Sequence, residues 1–124
     1  SLIKENLTKN FTNLESKERD RQFKIIEEAV IAFKNELNEK AKFVIVYLPS
    51  YSEIKYKKKT NFQKEIPKIL YNSGIFYFNA NERFKELNIK DIFEFGYGLG
   101  HYSSDGYGHL ADFVDQFLIE VEKK

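Results

Sequence analysis

The chain has 124 residues, of which 42% are hydrophobic and 16% aromatic, enough apolar side chain to build one packed core and to exclude a disordered segment. Its 20 Lys and Arg residues are balanced by 19 Asp and Glu residues, so charge gives no reason to expect nucleic acid or an anionic membrane as a partner. With no Cys and only two His, we expect no disulfide, no zinc or other metal site and no cofactor.

The first third of the chain carries a long helical pattern. Apolar residues recur every three or four positions from residue 14 to 41, which predicts an amphipathic helix over that range. Residues 1–13 show no clear pattern, and we treat them as a poorly defined leader. The longest apolar run, 43–48, is far shorter than the roughly 20 residues of a membrane-spanning helix, so we predict no membrane span.

Two short apolar runs predict parallel β-strands. The first, 42–49, is rich in β-branched and aromatic residues and ends at Pro49, which is typical of a strand in the middle of a sheet, covered on both faces. The second is 75–78. Between them we predict a basic, Tyr-bearing loop at 51–59 and a helix at 61–72.

Two helices are predicted after the second strand. The first is short, 81–87, and a Phe- and Gly-rich loop follows at 91–100; Ser103 or Ser104 then caps a terminal amphipathic helix. The alternation of helices and strands indicates an α/β fold with right-handed crossovers. Because such sheets usually hold about five or six strands, we expect either one domain over 1–124 or the carboxy-terminal part of a truncated three-layer α/β/α domain.

The strongest candidate for a catalytic role is a histidine just before the terminal helix. Residues 100–106 read Gly-His-Tyr-Ser-Ser-Asp-Gly. The helix dipole disfavours an imidazolium at this place, so His101 stays able to accept a proton, and Gly106 allows close approach of backbone or ligand. The alternative is an ordinary loop histidine that donates to a backbone carbonyl, with Tyr102 closing the core.

This block resembles the catalytic-histidine block of the SGNH, or GDSL-type, hydrolases. In that family an aromatic or small residue, a Ser, Asn or Pro, two variable residues, a Gly and the last long helix follow the His. The resemblance covers the carboxy-terminal two thirds of the chain, including the strand that ends at Pro49. It implies a flavodoxin-like three-layer fold and an ester hydrolase or O-acyltransferase that acts on small acyl esters, of carbohydrate or lipid.

The resemblance also implies a division of roles. His101 would be the general base for a Ser on a Gly-Asp-Ser turn, with Gly and Asn donors to the oxyanion. None of these partners can be placed in the 124 residues, so we expect them upstream and expect this segment alone to be inactive.

One departure from the family pattern motivates a second hypothesis. The family usually has an Asp two or three residues before the His, where this sequence has Leu99 and Gly98. The carboxylate fixes the tautomer of the catalytic imidazole. Without it the tautomer of His101 is less well defined, unless a backbone carbonyl, Asp91 or Glu94 takes the place of the Asp. The second hypothesis is therefore a non-catalytic binding or assembly module on a hydrolase-like scaffold.

Substrate-binding residues are expected where the first strand ends. Open α/β sheets bind ligands beyond the carboxyl ends of their strands, so we expect Pro49, Ser50 and Tyr51, together with Tyr102, to contact the substrate. No Gly-x-Ser-x-Gly elbow surrounds Ser50, which favours a turn residue over a nucleophile.

The remaining features favour structural roles. The lysines at 55 and 57–59 are interpreted as a solvated loop rather than a nucleic-acid site, and His109 as a packing or solvated residue of the terminal helix. A flavodoxin-like cofactor module is a third option, which rests on fold-level analogy alone. Because two strands leave open edges, we also expect homo-oligomer formation.

Overall fold

The computed structural model describes residues 2–93 and 101–124. The chain divides into two compact units, Ser1–Ala41 and Lys42–Lys124. No helix in the described residues is both long enough and apolar enough to cross a membrane.

The first unit is built on one helix, α1, Leu2–Glu36. Residues 2–13, where we predicted no clear element, form its first turns, because Glu, Lys and Leu favour a helix even without an apolar period. The helix also ends before the predicted limit of residue 41. On the predicted apolar face Phe23 is buried and Ile26 and Val30 are half-buried, whereas Phe33 is exposed.

The second unit contains a parallel pair of strands, β1, Val44–Tyr47, and β2, Phe76–Asn79. Val44 lies opposite Phe76 and Tyr47 lies opposite Asn79. The α/β class with parallel strands is therefore confirmed. Both strands are half-buried throughout, and β1 pairs only with β2 among the described residues, so the prediction of a central strand is not confirmed.

The connection between the strands contains two helices, α2, Tyr51–Tyr56, and α3, Asn61–Leu70. The prediction of a loop at 51–59 was wrong for the segment that forms α2. The physical reason is a capping box: Ser50 Oγ accepts from the backbone N–H of Glu53 at 3.3 Å, and the Ser50 N–H donates to Glu53 Oε2 at 2.7 Å.

After β2 come a short helix, α4, Asn81–Phe84, and a single 3-10 turn, Ile89–Asp91. The terminal helix, α5, Ser104–Glu122, begins after Ser103, whose Oγ accepts from the N–H of Gly106 at 3.0 Å. The predicted cap of α5 is thus confirmed. The predicted Gly-rich loop lies outside the described residues from position 94 to 100.

The core of the second unit lies among α2, β2, α4 and α5. Its buried apolar residues are Ile54, Ala80, Phe84, Ile92, Phe93 and Phe113. A Cβ at Gly106 would collide with the backbone carbonyl of Ile92, so only glycine allows α5 to begin this close to residues 92–93. The close approach that was predicted at Gly106 is therefore between its own backbone and the backbone of Ile92.

Candidate functional site

A cavity of about 420 Å³ lies at the carboxyl end of β1, and we call it the tyrosine cavity. Its aromatic lining consists of Tyr47, Tyr51, Phe93, Tyr102 and Tyr107. Its other lining residues are Leu48, Pro49, Ser50 and Glu53. The structure therefore brings together around one cavity all four residues expected to contact a substrate: Pro49, Ser50, Tyr51 and Tyr102.

Tyr102 ties the loop before α5 to the end of β1. Its hydroxyl donates to the backbone carbonyl of Pro49 at 2.6 Å, and its backbone forms an antiparallel bridge with Phe93. Its ring packs edge-on against Phe93, with 5.1 Å between the ring centres. Burial raises the pKa of the Tyr102 hydroxyl, so this group remains a donor at any ordinary pH.

His101, the predicted catalytic residue, is exposed and directly precedes Tyr102. Its backbone therefore lies at the rim of the tyrosine cavity, since neighbouring Cα atoms are about 3.8 Å apart. His101 is not among the described residues that line the cavity. Of the candidate carboxylate partners, Glu94 lies outside the described residues together with Gly98 and Leu99.

Three further residues that the sequence analysis singled out have structural contacts. Asp91 is exposed, and its backbone carbonyl accepts from Ser103 Oγ at 3.3 Å. His109 is half-buried and stacks on Phe113, with 6.2 Å between ring centres, which is consistent with its predicted packing role. Ser50 uses its Oγ to cap α2, as expected of a turn residue.

The charged group beside the cavity is Glu53, which was not among the predicted site residues. Its side chain is only 4% exposed. Oε1 accepts from Gln63 Nε2 at 2.6 Å, from Tyr47 Oη at 2.7 Å and from Thr60 Oγ1 at 2.8 Å. Burial by itself would raise the pKa of Glu53, but these bonds and the bond from the Ser50 N–H outweigh it and lower the pKa to about 2.

Glu53 is therefore an ionised carboxylate at neutral pH. Within residues 2–93 and 101–124 it takes part in no salt bridge. Burial raises the pKa of Tyr47 to about 12, so the tyrosine stays protonated and keeps donating to the carboxylate. Among the described residues, the donors that stabilise the negative charge of Glu53 are all neutral.

The hydrogen bonds continue from Glu53 to the end of the second strand. Gln63 Oε1 accepts from Asn79 Nδ2 at 2.9 Å and from Asn81 Nδ2 at 3.2 Å. Asn79 Oδ1 in turn accepts the backbone N–H of Asn81 at 3.0 Å. This polar network joins α2 and α3 to the carboxyl ends of both strands. The spacing Ser50-x-x-Glu53 was the one local signal of it in the sequence.

A second cavity, of about 380 Å³, has a different character. Lys57, Lys59 and Lys85 line it together with Glu82, which pairs with Lys85 at 2.5 Å and with Lys59 at 3.7 Å. The lysines of the predicted basic loop are all exposed, as expected of a solvated run. In the described parts of the chain no group of three or more His, Cys, Asp or Glu side chains is arranged to hold a metal ion.

Comparisons of the chain with protein families, with curated proteins and with solved structures found no match. The likeness to the SGNH hydrolases therefore depends on the residues themselves, above all on the block from His101 to Gly106.

Proposed function

We propose that this chain contributes the histidine side of an SGNH-type ester hydrolase or O-acyltransferase site. His101 acts as general base for a serine that is not among these 124 residues, on a fold that is part of a flavodoxin-like three-layer domain. The supporting observation is the tyrosine cavity: it lies at the carboxyl end of a parallel strand, and Tyr102 joins it to His101 through the bond to Pro49.

The chemistry needs an accessible imidazole beside a substrate pocket. His101 takes the proton of the serine hydroxyl as its oxygen attacks the acyl carbonyl, and then returns that proton to the departing alcohol. Water or a second hydroxyl releases the acyl group from the serine by the same steps in reverse. The tyrosine cavity holds the alcohol part of the ester, and the exposure of His101 leaves its ring free to meet the serine.

The sheet supports the proposal of a larger domain. In the described residues each strand is paired along one edge only, and the half-buried faces of β1 and β2 are those of a sheet that is incompletely covered. Further strands, from flanking chain or from a second copy, complete this sheet and bring the serine to the cavity.

The test is hydrolysis of p-nitrophenyl acetate by the protein expressed with whatever flanking residues its gene encodes. We expect His101→Ala to lower kcat by about 10² to 10⁴, the usual contribution of a general base. His109→Ala is the matched control, because this histidine packs on Phe113 and does not line the cavity. Turnover that is equal in wild type and His101→Ala rules out the proposed role.

One observation favours the alternative of a non-catalytic binding or assembly module. Ser50 is the only serine among the described residues that line the cavity, and its Oγ is occupied by the capping of α2. A fluorophosphonate probe separates the two functions: a serine hydrolase becomes labelled, and the labelling slows in His101→Ala. A protein that is never labelled and hydrolyses no ester is a binding module.

A further inference from the structure

We propose that copies of this chain associate through two oppositely charged helix faces, so that α3 of one copy lies against α5 of the next. The proposal concerns the outer surfaces of these helices and does not rest on the proposed function. The contact is also different from an association through the open edges of the sheet.

The first surface, which we call the basic face, belongs to α3. Lys64, Lys68 and Tyr71 follow one another at intervals of four and three residues, so they share one side of the helix, and all three are exposed. Three further exposed lysines, 57–59, lie in the segment before α3. Lys68 pairs with Glu65 at 2.9 Å, whereas Lys64 takes part in no salt bridge within the described chain.

The second surface, which we call the acidic face, is the exposed side of α5. The whole helix contains five Asp and Glu residues and no Lys or Arg. Its exposed residues recur at intervals of three and four, which places them on one side of the helix. They are Asp105, Gly108, Asp112, Asp115, Ile119 and Glu122. Among the described residues, none of these four carboxylates takes part in a salt bridge.

This placement of charge does not serve the stability of α5 itself. Asp112 and Asp115 repel each other from one side of the helix, and Glu122 lies in the last turn, where the helix dipole favours a cation. A positively charged partner relieves both effects. Ile119 on the acidic face is 47% exposed and Tyr71 on the basic face is 78% exposed, so a contact between the faces also buries apolar surface.

The two faces cannot meet within one copy. Gln63 of α3 accepts from Asn79 at 2.9 Å, and Phe117 of α5 stacks on Phe78 with 5.1 Å between ring centres. Asn79 and Phe78 are consecutive residues of β2, so their side chains point to opposite faces of the strand pair. The helices α3 and α5 therefore lie on opposite sides of the sheet, with their charged faces turned apart.

A second copy is the partner that carries both complementary faces. Because the two faces differ, the contact is head-to-tail: each copy in a row uses its basic face towards one neighbour and its acidic face towards the other. Such a contact depends on charge, and salt therefore weakens it.

The first experiment measures the average mass of the chain by sedimentation equilibrium. At about 0.05 M salt we expect the mass to rise with protein concentration, and at about 0.5 M salt to return to that of the monomer, because the shorter Debye length screens the contact. A monomer at every concentration up to about 1 mM would overturn the proposal. Association that does not depend on salt would overturn it as well and would indicate the sheet edges.

Charge reversal tests the two faces separately. Asp115→Lys and Lys64→Glu each bring like charges together in the contact, and we expect either one to weaken association by about tenfold. Both replacements are good helix formers, and circular dichroism checks that the fold is kept. Glu86→Lys and Lys90→Glu are the matched controls, because both residues are exposed and lie outside the two faces. Equal effects in variants and controls would contradict the proposal.

A mixture of the two reversed variants is the sharpest test. The intact basic face of Asp115→Lys can meet the intact acidic face of Lys64→Glu, so we expect the equimolar mixture to associate about as tightly as the wild type. A mixture no heavier than either variant alone would overturn the proposal. So would a chain that stays monomeric at low salt while it binds a single-stranded DNA oligonucleotide, which would assign the basic face to a polyanion.

Discussion

The two sides of the tyrosine cavity are held by different forces. On one side Glu53 is fixed by four hydrogen bonds, from Tyr47, Ser50, Thr60 and Gln63. On the other, Phe93 and Tyr102 pack ring against ring, and the start of α5 lies against the backbone at Ile92. The first side depends on an ionised group and therefore on pH, whereas the second depends on shape and volume. A perturbation of either kind should act on one side only.

The largest expected effect is on the packed side. Gly106→Ala places a methyl group against the backbone carbonyl of Ile92, which cannot turn away as a side chain could. We expect a loss of about 3 kcal/mol or more in the free energy of unfolding, measured by urea denaturation.

Gly108→Ala is the control in the same helix. A Cβ at Gly108 meets nothing within 4 Å, so we expect this variant to be more stable by about 0.5 to 1 kcal/mol, the helix preference of Ala over Gly. Destabilisation of similar size in both variants would show that α5 does not begin against Ile92.

The next largest effect is expected on the polar side, where the free energy of unfolding depends on pH through Glu53. The pKa of Glu53 falls from an ordinary value of 4.5 to about 2 in the folded protein. The unfolded chain therefore takes up the proton first as the pH falls. The stability that the charge contributes, about 2 to 3 kcal/mol, is complete above pH 5 and is lost progressively down to about pH 2.

Glu53→Gln isolates this contribution from those of the other carboxylates. We expect the difference in unfolding free energy between wild type and variant to shrink steadily between pH 5 and pH 2. Glu65→Gln is the control, because Glu65 only pairs with the exposed Lys68 at 2.9 Å. A difference for Glu53→Gln that stays constant with pH would mean that the carboxylate titrates alike in the folded and unfolded chain.

The smallest effect concerns the link between the two sides. Tyr102→Phe keeps the ring in the cavity but removes the hydroxyl that donates to the buried Pro49 carbonyl. We expect a loss of about 1 kcal/mol, against no measurable change for Tyr71→Phe, whose ring is exposed.

Elements with local signals could be predicted from the sequence. The strands follow from their β-branched and aromatic runs, and α5 follows from its apolar period and the cap at Ser103. The helix α2 was missed because the lysines and tyrosines of residues 51–59 are typical of a solvated loop, although the spacing of Ser50 and Glu53 is that of a capping box.

The polar network could not have been predicted in the same way. Tyr47, Gln63 and Asn79 are far apart along the chain, and no local pattern connects them. They meet because the parallel register sets Tyr47 beside Asn79 and because α3 crosses near that end of the sheet. The cavity residues at the end of β1 were easier to anticipate, since that location follows from the topology of parallel sheets.

The parallel pairing of β1 and β2 also governs how this unit forms in time. Antiparallel strands can join through a tight turn, but here the whole of α2 and α3 lies between the paired residues. The first ladder bond therefore closes a long loop, and its entropy makes sheet formation slower than the growth of the helices. The cavity at the strand ends is complete only after that closure, so a bound ligand slows unfolding and leaves the early steps of folding unchanged.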